Sequence, residues 1–352
     1  MTTISKRMCV LLLACSTMAV SGCGSSGSSA VDTTALQKGA VVQGPVVGAT
    51  VFADNVVGGT RFVKDTGEIT APLTGTGGSY FLPSFPSYDF ILVSSGGTDT
   101  ITSQPALLLL APSGSAHITP LTTLVALDTT KKVQAKLEAM MGNASFDTNV
   151  STNSSEAILL LIKSTEAAVQ SIRDAVQLAA GAAGVTLTTT QINYIQSQAW
   201  QQIALTFAGT TQNLATPAGL DAALTTAITG AIANINGANT NITISSTSAA
   251  AIAHGSVNAA LSALGSAATY TSATALATSG VRTEGSLANV AGAYQGALTA
   301  NKTSLSVVII GDTPNAYAPP PIQVVSTTSA TIILIKTGAS GGTGSVGIGI
   351  IW

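Results

Sequence analysis

Ile118-Thr119-Pro120-Leu121-Thr122-Thr123-Leu124-Val125 is the stretch on which the fold turns. The Thr119 hydroxyl can accept a hydrogen bond from a free backbone N–H at a helix start, and Pro120 brings a fixed φ and no N–H of its own. The pair predicts an N-cap followed by the first helical position. Leu121, Leu124 and Val125 continue at helical spacing, and after a break so do Val133, Leu137 and Met141. Before His117 the pattern is different. From about Gly39, short β-rich runs alternate with turn residues: Val46-Val47, Ala49-Thr50-Val51-Phe52, Arg61-Phe62-Val63, Tyr80-Phe81-Leu82 and Phe90-Ile91-Leu92-Val93. Gly58-Gly59, Asp65-Thr66-Gly67, Gly75-Thr76-Gly77-Gly78 and Gly96-Gly97 lie between them. Short strands at this spacing predict a small sandwich or barrel. The expected fold class is therefore α+β: a β-sandwich over 39–118, a helical region over 119–300 and a short β segment over 301–352.

Within the helical region, Ile158, Ile162, Val169, Ile172 and Val176 fall on a 4-3-4-3-4 spacing with Thr165 in the gap, a heptad seam. Coiled-coil pairing usually needs three or four heptads. Packing within a helical bundle is the favoured reading, and the seam is read as core. Ile192, Ile195, Ala199, Ile203 and Phe207 form a second stripe. Leu220, Leu224, Ile228, Ile232 and Ile235 form a third behind a Thr216 cap and Pro217. A fourth helix is expected from about Ser248 to Leu264, with Ile252, Leu261 and Leu264 inward. Residues 265–300 are rich in Ala, Ser and Thr with interspersed glycines and read equally as loose helix or loop.

Leu305 to Ile310, Gln323 to Val325, Thr331 to Ile335 and Val346 to Ile351 are β-branched runs, and Pro319-Pro320-Pro321 separates the first two. They are expected either to form a small terminal sheet or to add strands to the first sandwich. The alternation ending in Trp352 faintly resembles the terminal signal of outer-membrane barrels, although one strand is not a barrel and a buried closing strand is the preferred reading.

At the other end, Lys6 and Arg7 precede an apolar run, Met8 to Val20, and small Ser21 and Gly22 precede Cys23. Together these resemble a bacterial lipoprotein signal with its lipobox. The resemblance implies cleavage before Cys23, a diacylglycerol on the Cys23 thiol and acylation of the new amino terminus, which gives a multi-chain anchor of the kind that stable attachment requires. Leu12-Leu13-Ala14-Cys15 is a competing box, but it would leave an apolar run shorter than the roughly 7–15 residues such a region needs. An uncleaved membrane helix needs about 18 apolar residues or more. Residues 1–22 are thus read as signal peptide and 23–38, Gly/Ser-rich, as a lipidated tether. Gly24 after Cys23 implies, by the same resemblance, transfer to the outer membrane.

Gly44-Pro45-Val46-Val47-Gly48-Ala49-Thr50-Val51, Gly67-Glu68, Gly78-Ser79-Tyr80-Phe81-Leu82, Gly96-Gly97-Thr98-Asp99 and Ile118 to Val125 follow one another in order. They resemble the transthyretin-like or carboxypeptidase-regulatory-like β-sandwich module of bacterial surface lipoproteins and adhesin-like proteins. Such modules are mostly spacers or binding platforms, so the resemblance implies a location and an architecture rather than an activity.

The chemistry available is narrow. With Cys9 and Cys15 removed and Cys23 blocked by lipid, no disulfide, thiolate nucleophile or cysteine metal site is expected. Gly338-Ala339-Ser340-Gly341-Gly342 has nucleophile-elbow spacing but no histidine after it. Gly342 to Gly347 has dinucleotide-fingerprint spacing without a helix to follow; a glycine-rich hairpin explains both. His117 and His254 have no neighbouring ligand residues and read as structural. Asp54, Asp65, Glu68 and Asp99 could supply oxygen ligands to calcium, but no EF-hand spacing supports this, and loop solvation is preferred. No catalytic residue, cofactor or metal site is assigned.

The chain carries 13 Lys and Arg against 15 Asp and Glu, without a basic run, which leaves no electrostatic footprint for nucleic acid. Only 8% of residues are charged, against about 25% in ordinary soluble domains. Between Asp174 and Arg282 the one formally charged side chain at neutral pH is Asp221. A surface of Thr, Ser, Asn and Gln opposes association weakly. The expectation is a lipid-anchored cell-envelope protein, not an enzyme, with a structural, adhesive or protein-binding role, bound to the membrane through the lipid on Cys23 and open to a protein partner or self-association. A hydrolase or glycan-processing enzyme with an accessory sandwich, and a carrier of an apolar ligand, are the alternatives; the first would need close-set buried carboxylates or a polar pocket, the second a cavity lined by the Ile and Leu stripes.

Overall fold

The run Phe90-Ile91-Leu92-Val93 is buried at every position, and it forms the middle of the larger sheet. A strand covered on both faces needs apolar side chains throughout, which is why the run does not alternate. The strands before it are β1 (Lys38–Val41), β2 (Val46–Val47), β3 (Thr50–Asn55) and β4 (Ser79–Phe81); β5 is Phe90–Ser95 itself. Then come β6 (Thr98–Asp99), β7 (Leu109–Pro112) and β8 (His117–Ile118). In this computed structural model, residues 37–150, 154–238, 241–245, 249–264, 281–282, 307–309 and 321–323 are described.

β5 pairs antiparallel with β3, Phe52 opposite Val93, and with β7, Leu92 opposite Ala111. A second three-stranded sheet has β1 in the middle, antiparallel to β4 and parallel to β8. β2 and β6 make a two-stranded ribbon. Gly39 sits where a Cβ would collide with the Ala116 carbonyl, and Gly97, at φ +83°, lies against the Ala49 backbone. Both close approaches require glycine.

The strands at Val46-Val47, Thr50–Asn55, Ser79–Phe81 and Phe90–Ser95 lie where the sequence predicts them. Arg61-Phe62-Val63 does not form the expected strand. It is a turn in which Phe62 takes φ 63° with its ring 1% exposed. The Phe62 N–H donates to Asp54 Oδ2 at 2.9 Å, and Asp65 accepts from the Thr60 N–H. Carboxylates that satisfy successive backbone donors stabilise a turn that the β-rich composition conceals.

The crossing into helix falls at Thr119. α1 (Pro120–Leu127) starts with a capping box: the Thr122 N–H donates to Thr119 Oγ1 at 3.1 Å and the Thr119 N–H to Thr122 Oγ1 at 2.8 Å. Every residue of α1 is buried, and its threonines have a second use. Thr123 Oγ1 accepts from the Leu110 N–H at 2.9 Å while Thr122 Oγ1 donates to the Leu110 carbonyl at 2.9 Å. The two hydroxyls thus pair with the free edge of β7, so this edge is closed by a helix and presents no template to another chain.

The remaining helices are α2 (Lys132–Met140), α3 (Glu156–Ala182), α4 (Thr189–Gly209), α5 (Pro217–Ala238) and α6 (Ala249–Leu264). α3 is the hub, packed against α4, α5 and α6, and is buried around most of its circumference. Ile158, Ile162, Thr165, Val169, Ile172 and Val176 are all buried within the molecule, as the bundle reading requires. Thr165 keeps its hydroxyl satisfied by donating to the Leu161 carbonyl at 2.9 Å. α4 begins with a Thr188/Gln191 capping box, and Lys136 of α2 donates Nζ to the Phe207 and Thr210 carbonyls at 2.7 and 2.6 Å, a cation placed on the negative end of α4. α5 starts at the Thr216 cap, whose Oγ1 accepts from the Gly219 N–H at 3.2 Å. It is long and apolar enough to cross a membrane by length and composition, and here its apolar stripe packs on α4 and α6.

Four short strands fall beyond the first region: β9 (Ser154–Ser155), β10 (Ile242–Ile244), β11 (Val281–Arg282) and β12 (Val307–Ile309). β12 pairs antiparallel with β10, Ile242 opposite Ile309, and packs on α3; β11 pairs with β9. The described C-terminal strand therefore joins a strand inside the helical region, and makes neither a terminal sheet nor an extension of the first sandwich. The chain returns to α1 at Gln323, whose N–H donates to the Ala126 carbonyl at 2.7 Å. The runs Thr331–Ile335 and Val346–Ile351 lie outside the described residues.

Candidate functional site

Polar side chains inside an apolar helix mark where the helical layer meets the sheets. Residues 105–108 run between the two with no ladder partner for much of their backbone, and the helices supply the missing groups. Arg173 of α3 donates Nη1 to the Pro105 carbonyl at 3.3 Å and Nε to Asp174 Oδ1 at 2.8 Å. Gln196 of α4 accepts the Leu108 N–H at 2.9 Å, and Asn193 donates to the Phe62 carbonyl at 2.7 Å. From the sheet side, Gln43 Oε1 accepts the Leu107 N–H at 3.0 Å.

A cleft of about 710 Å³ opens along this seam. Its floor includes Arg173, Asp174, Asn193 and Gln196, and its apolar wall includes Ile192 and Leu178, the latter 67% exposed. The mixture suits a ligand with both hydrogen-bonding and apolar parts. The carboxylate among its lining residues, Asp174, is paired with Arg173 at 2.8 Å.

Deeper in the same seam, Lys163 Nζ donates to the Gln43 carbonyl at 2.6 Å and to Glu166 Oε2 at 2.8 Å. Glu166 is completely buried, and its Oε1 has no hydrogen-bond partner among the described residues. Burial pushes its carboxyl up to about 7; Lys163 counters part of this, and nearby Asp99 adds to it. Asp99 accepts from the Ile101 N–H at 2.8 Å and the Thr102 hydroxyl at 2.9 Å, which ties down the turn after β6.

The four carboxylates considered for calcium do not come together. Asp54 at the end of β3 and Asp65 and Glu68 in the loop that follows lie near one another, whereas Asp99 belongs to the Glu166 cluster. Among the described residues, no group of three or more His, Cys, Asp or Glu has the geometry to hold a metal ion. The histidines have partners that spacing did not reveal. His117 Nδ1 lies 3.2 Å from Asp147 Oδ1, and Asp147 also accepts the Ala116 and His117 N–H groups at 2.7 and 2.8 Å. Burial raises the Asp147 carboxyl, but the His117 ring and the two N–H groups outweigh it and hold the pKa below the ordinary carboxylate value. His254 lies 3.5 Å from Asp221 and 3.0 Å from Asn258, on an exposed face. Cys23 and the motifs at 338–347 lie outside the described residues.

Sequence reasoning missed Lys163, Glu166, Arg173, Asn193 and Gln196. The usable sign was five charges, Glu156, Lys163, Glu166, Arg173 and Asp174, in a helix otherwise apolar enough to be buried around most of its circumference. Together the sheets, the buried hub helix and the polar seam define an α+β protein with a cleft where its two kinds of layer meet. No protein-family model, curated protein or solved structure matches the chain.

Proposed function

We propose that the chain is a lipid-anchored protein of the bacterial cell envelope, held at the outer membrane through Cys23, with a structural, adhesive or protein-binding role. The observation that carries this reading is the run from Lys6-Arg7 through the apolar Met8–Val20 to Ser21-Gly22-Cys23, followed by a Gly/Ser tether. The resemblance of residues 39–127 to a sandwich module of surface lipoproteins agrees with it. The outer face of α5 lends support to association: Ala218, Ala222, Thr226, Thr229 and Ala233 are exposed and uncharged. Thr226 and Thr229 donate their hydroxyls to the carbonyls of Ala222 and Thr225, at 3.1 and 2.8 Å, so the helix spends those donors internally and presents methyl groups. Such a face holds water weakly.

Intact mass and surface-protease accessibility of the native protein, measured beside Cys23→Ala, test the proposal. A lipid increment that disappears with Cys23, together with cleavage on whole cells, is the expected result. No lipid, or full protection inside the envelope, overturns surface display. The cleft favours a second reading, a binding protein for a small ligand with hydrogen-bonding and apolar parts, and complete protection inside the envelope would move the weight to it. The hydrolase alternative has a cleft of mixed lining, and among the described residues Asp174 is the one carboxylate that lines it.

A further inference from the structure

β3 continues past its partner β5 onto the segment 69–71. The Ala53 N–H donates to the Ile69 carbonyl at 2.9 Å and the Ala71 N–H to the Val51 carbonyl at 2.8 Å, with Phe52 bridged to Thr70. Beyond this bridge the Tyr88 hydroxyl stands between the Ala53 carbonyl and the Ile69 N–H, and the Glu68 side chain turns back so that its Oε1 accepts the Asn55 N–H at 2.8 Å, which sets its carboxylate beside Asp54. Two carboxylates so placed repel each other if both are ionised.

Their other contacts prevent them from parting. Asp54 is fully buried; Oδ2 accepts the Phe62 N–H, and Oδ1 has no hydrogen-bond partner among the described residues. Glu68 is half-buried, accepting the Asn55 N–H on Oε1 and the Asp65 N–H on Oε2, both at 2.8 Å. The charged or titratable groups around Asp54 are Glu68, Arg61 and Tyr88. Arg61 donates Nη2 to the Val56 carbonyl at 2.9 Å, and Tyr88 commits its hydroxyl to the Ala53 carbonyl and the Ile69 N–H. None of them gives Asp54 Oδ1 a donor.

We infer that Asp54 and Glu68 hold one proton between them in the folded protein, and that losing it releases the 55–68 loop. The shared proton supplies the missing partner of Oδ1 and removes the repulsion. In agreement, burial first, and Glu68 second to it among the raising influences, push the Asp54 carboxyl from 3.8 up to about 7, against the Phe62 N–H and Arg61. The loop has something to control: Gly59, Arg61 and Phe62 line a cavity of about 190 Å³ against Thr190, Tyr194 and Ser197 of α4, and Val56 to Gly59 line another of about 420 Å³. This inference stands apart from the envelope reading.

The sign follows from linkage. The closed loop binds a proton that the open loop releases, so rising pH favours opening. The opening equilibrium should climb by up to tenfold per pH unit between about pH 4 and 7, and level off above. The test is carboxyl 13C NMR of the full chain, together with hydrogen exchange of the Asn55, Phe62 and Asp65 amides corrected for intrinsic rates. Expected results are an Asp54 carboxyl that titrates well above 4 and loop amides that lose protection through that window. In Asp54→Asn the amide can accept from Phe62 and donate to Glu68, so the dependence should flatten with the loop closed at pH 8. An Asp54 carboxyl titrating near 4, or an unchanged dependence in Asp54→Asn, overturns the inference, and the first readout needs no variant to fold. Loop closure at pH 8 that requires added calcium and is lost to a chelator also overturns it, because a cation rather than a proton would then bridge the pair.

Discussion

At the scale of single residues, burial decides what a charge does. Lys163 and Glu166 lie one helical turn apart in α3, which on a solvent face would be worth a few tenths of a kcal/mol. Here both are almost completely buried, and Lys163 is the cation nearest to a carboxylate that also feels Asp99. Lys163→Met should therefore cost about 3–5 kcal/mol in urea unfolding, because it strands Glu166 rather than because the pair itself contributes that much. With its cation gone, Glu166 folds as the neutral acid, so the loss should be larger at pH 8 than at pH 5. Lys163→Met with Glu166→Gln should recover most of it; a double variant as unstable as the single one would disprove this account. Thr119 makes the opposite point. Its cap was legible from Thr-Pro alone, and Thr119→Ala should cost about 1–2 kcal/mol, observed as a lower urea midpoint. The reach of Thr122 and Thr123 to β7 was not legible, since nothing local says which backbone a hydroxyl will meet.

At the scale of elements, periodicity located each long helix, because a face that must be buried repeats every 3.6 residues wherever the partner comes from. Ile195 to Phe207, Leu220 to Ile235 and the heptad stripe of α3 all mark buried faces, while Ile192, the first residue of its stripe, lines the cleft. Ile172→Ala in α3 should cost about 2–5 kcal/mol, whereas Leu178→Ala on the same helix, 67% exposed, should stay within about 0.5 kcal/mol. Equal losses in chemical denaturation would mean that α3 is not the hub. Short elements were less readable. Arg61-Phe62-Val63 has strand composition, yet two carboxylates outside the tripeptide, Asp54 of β3 and Asp65, hold its backbone in a turn. β1 and β8 are a four-residue and a two-residue strand joined in parallel across a long stretch of sequence, and no local pattern announces such a pairing.

At the scale of the molecule, the strand region and the helices share one core, and Gln43–Lys163, Leu108–Gln196 and Phe62–Asn193 tie them together. Unfolding in urea should accordingly be a single transition, with fluorescence of Trp200, buried in α4, and far-ultraviolet dichroism superimposing; separated midpoints would show that the two regions fold independently. The sequence by itself determined the α+β class, the position of the strand-to-helix crossing at Thr119 and the buried faces of the helices, because caps and periodicities are properties of neighbouring residues. Only the tertiary structure decided that β12 pairs with β10, that the Glu68 carboxylate comes to lie beside Asp54, and that Arg173, Asn193 and Gln196 converge on one seam with its cleft. Those arrangements join residues far apart in the chain, and they exist only once the apolar faces have packed and the buried polar groups have found their partners.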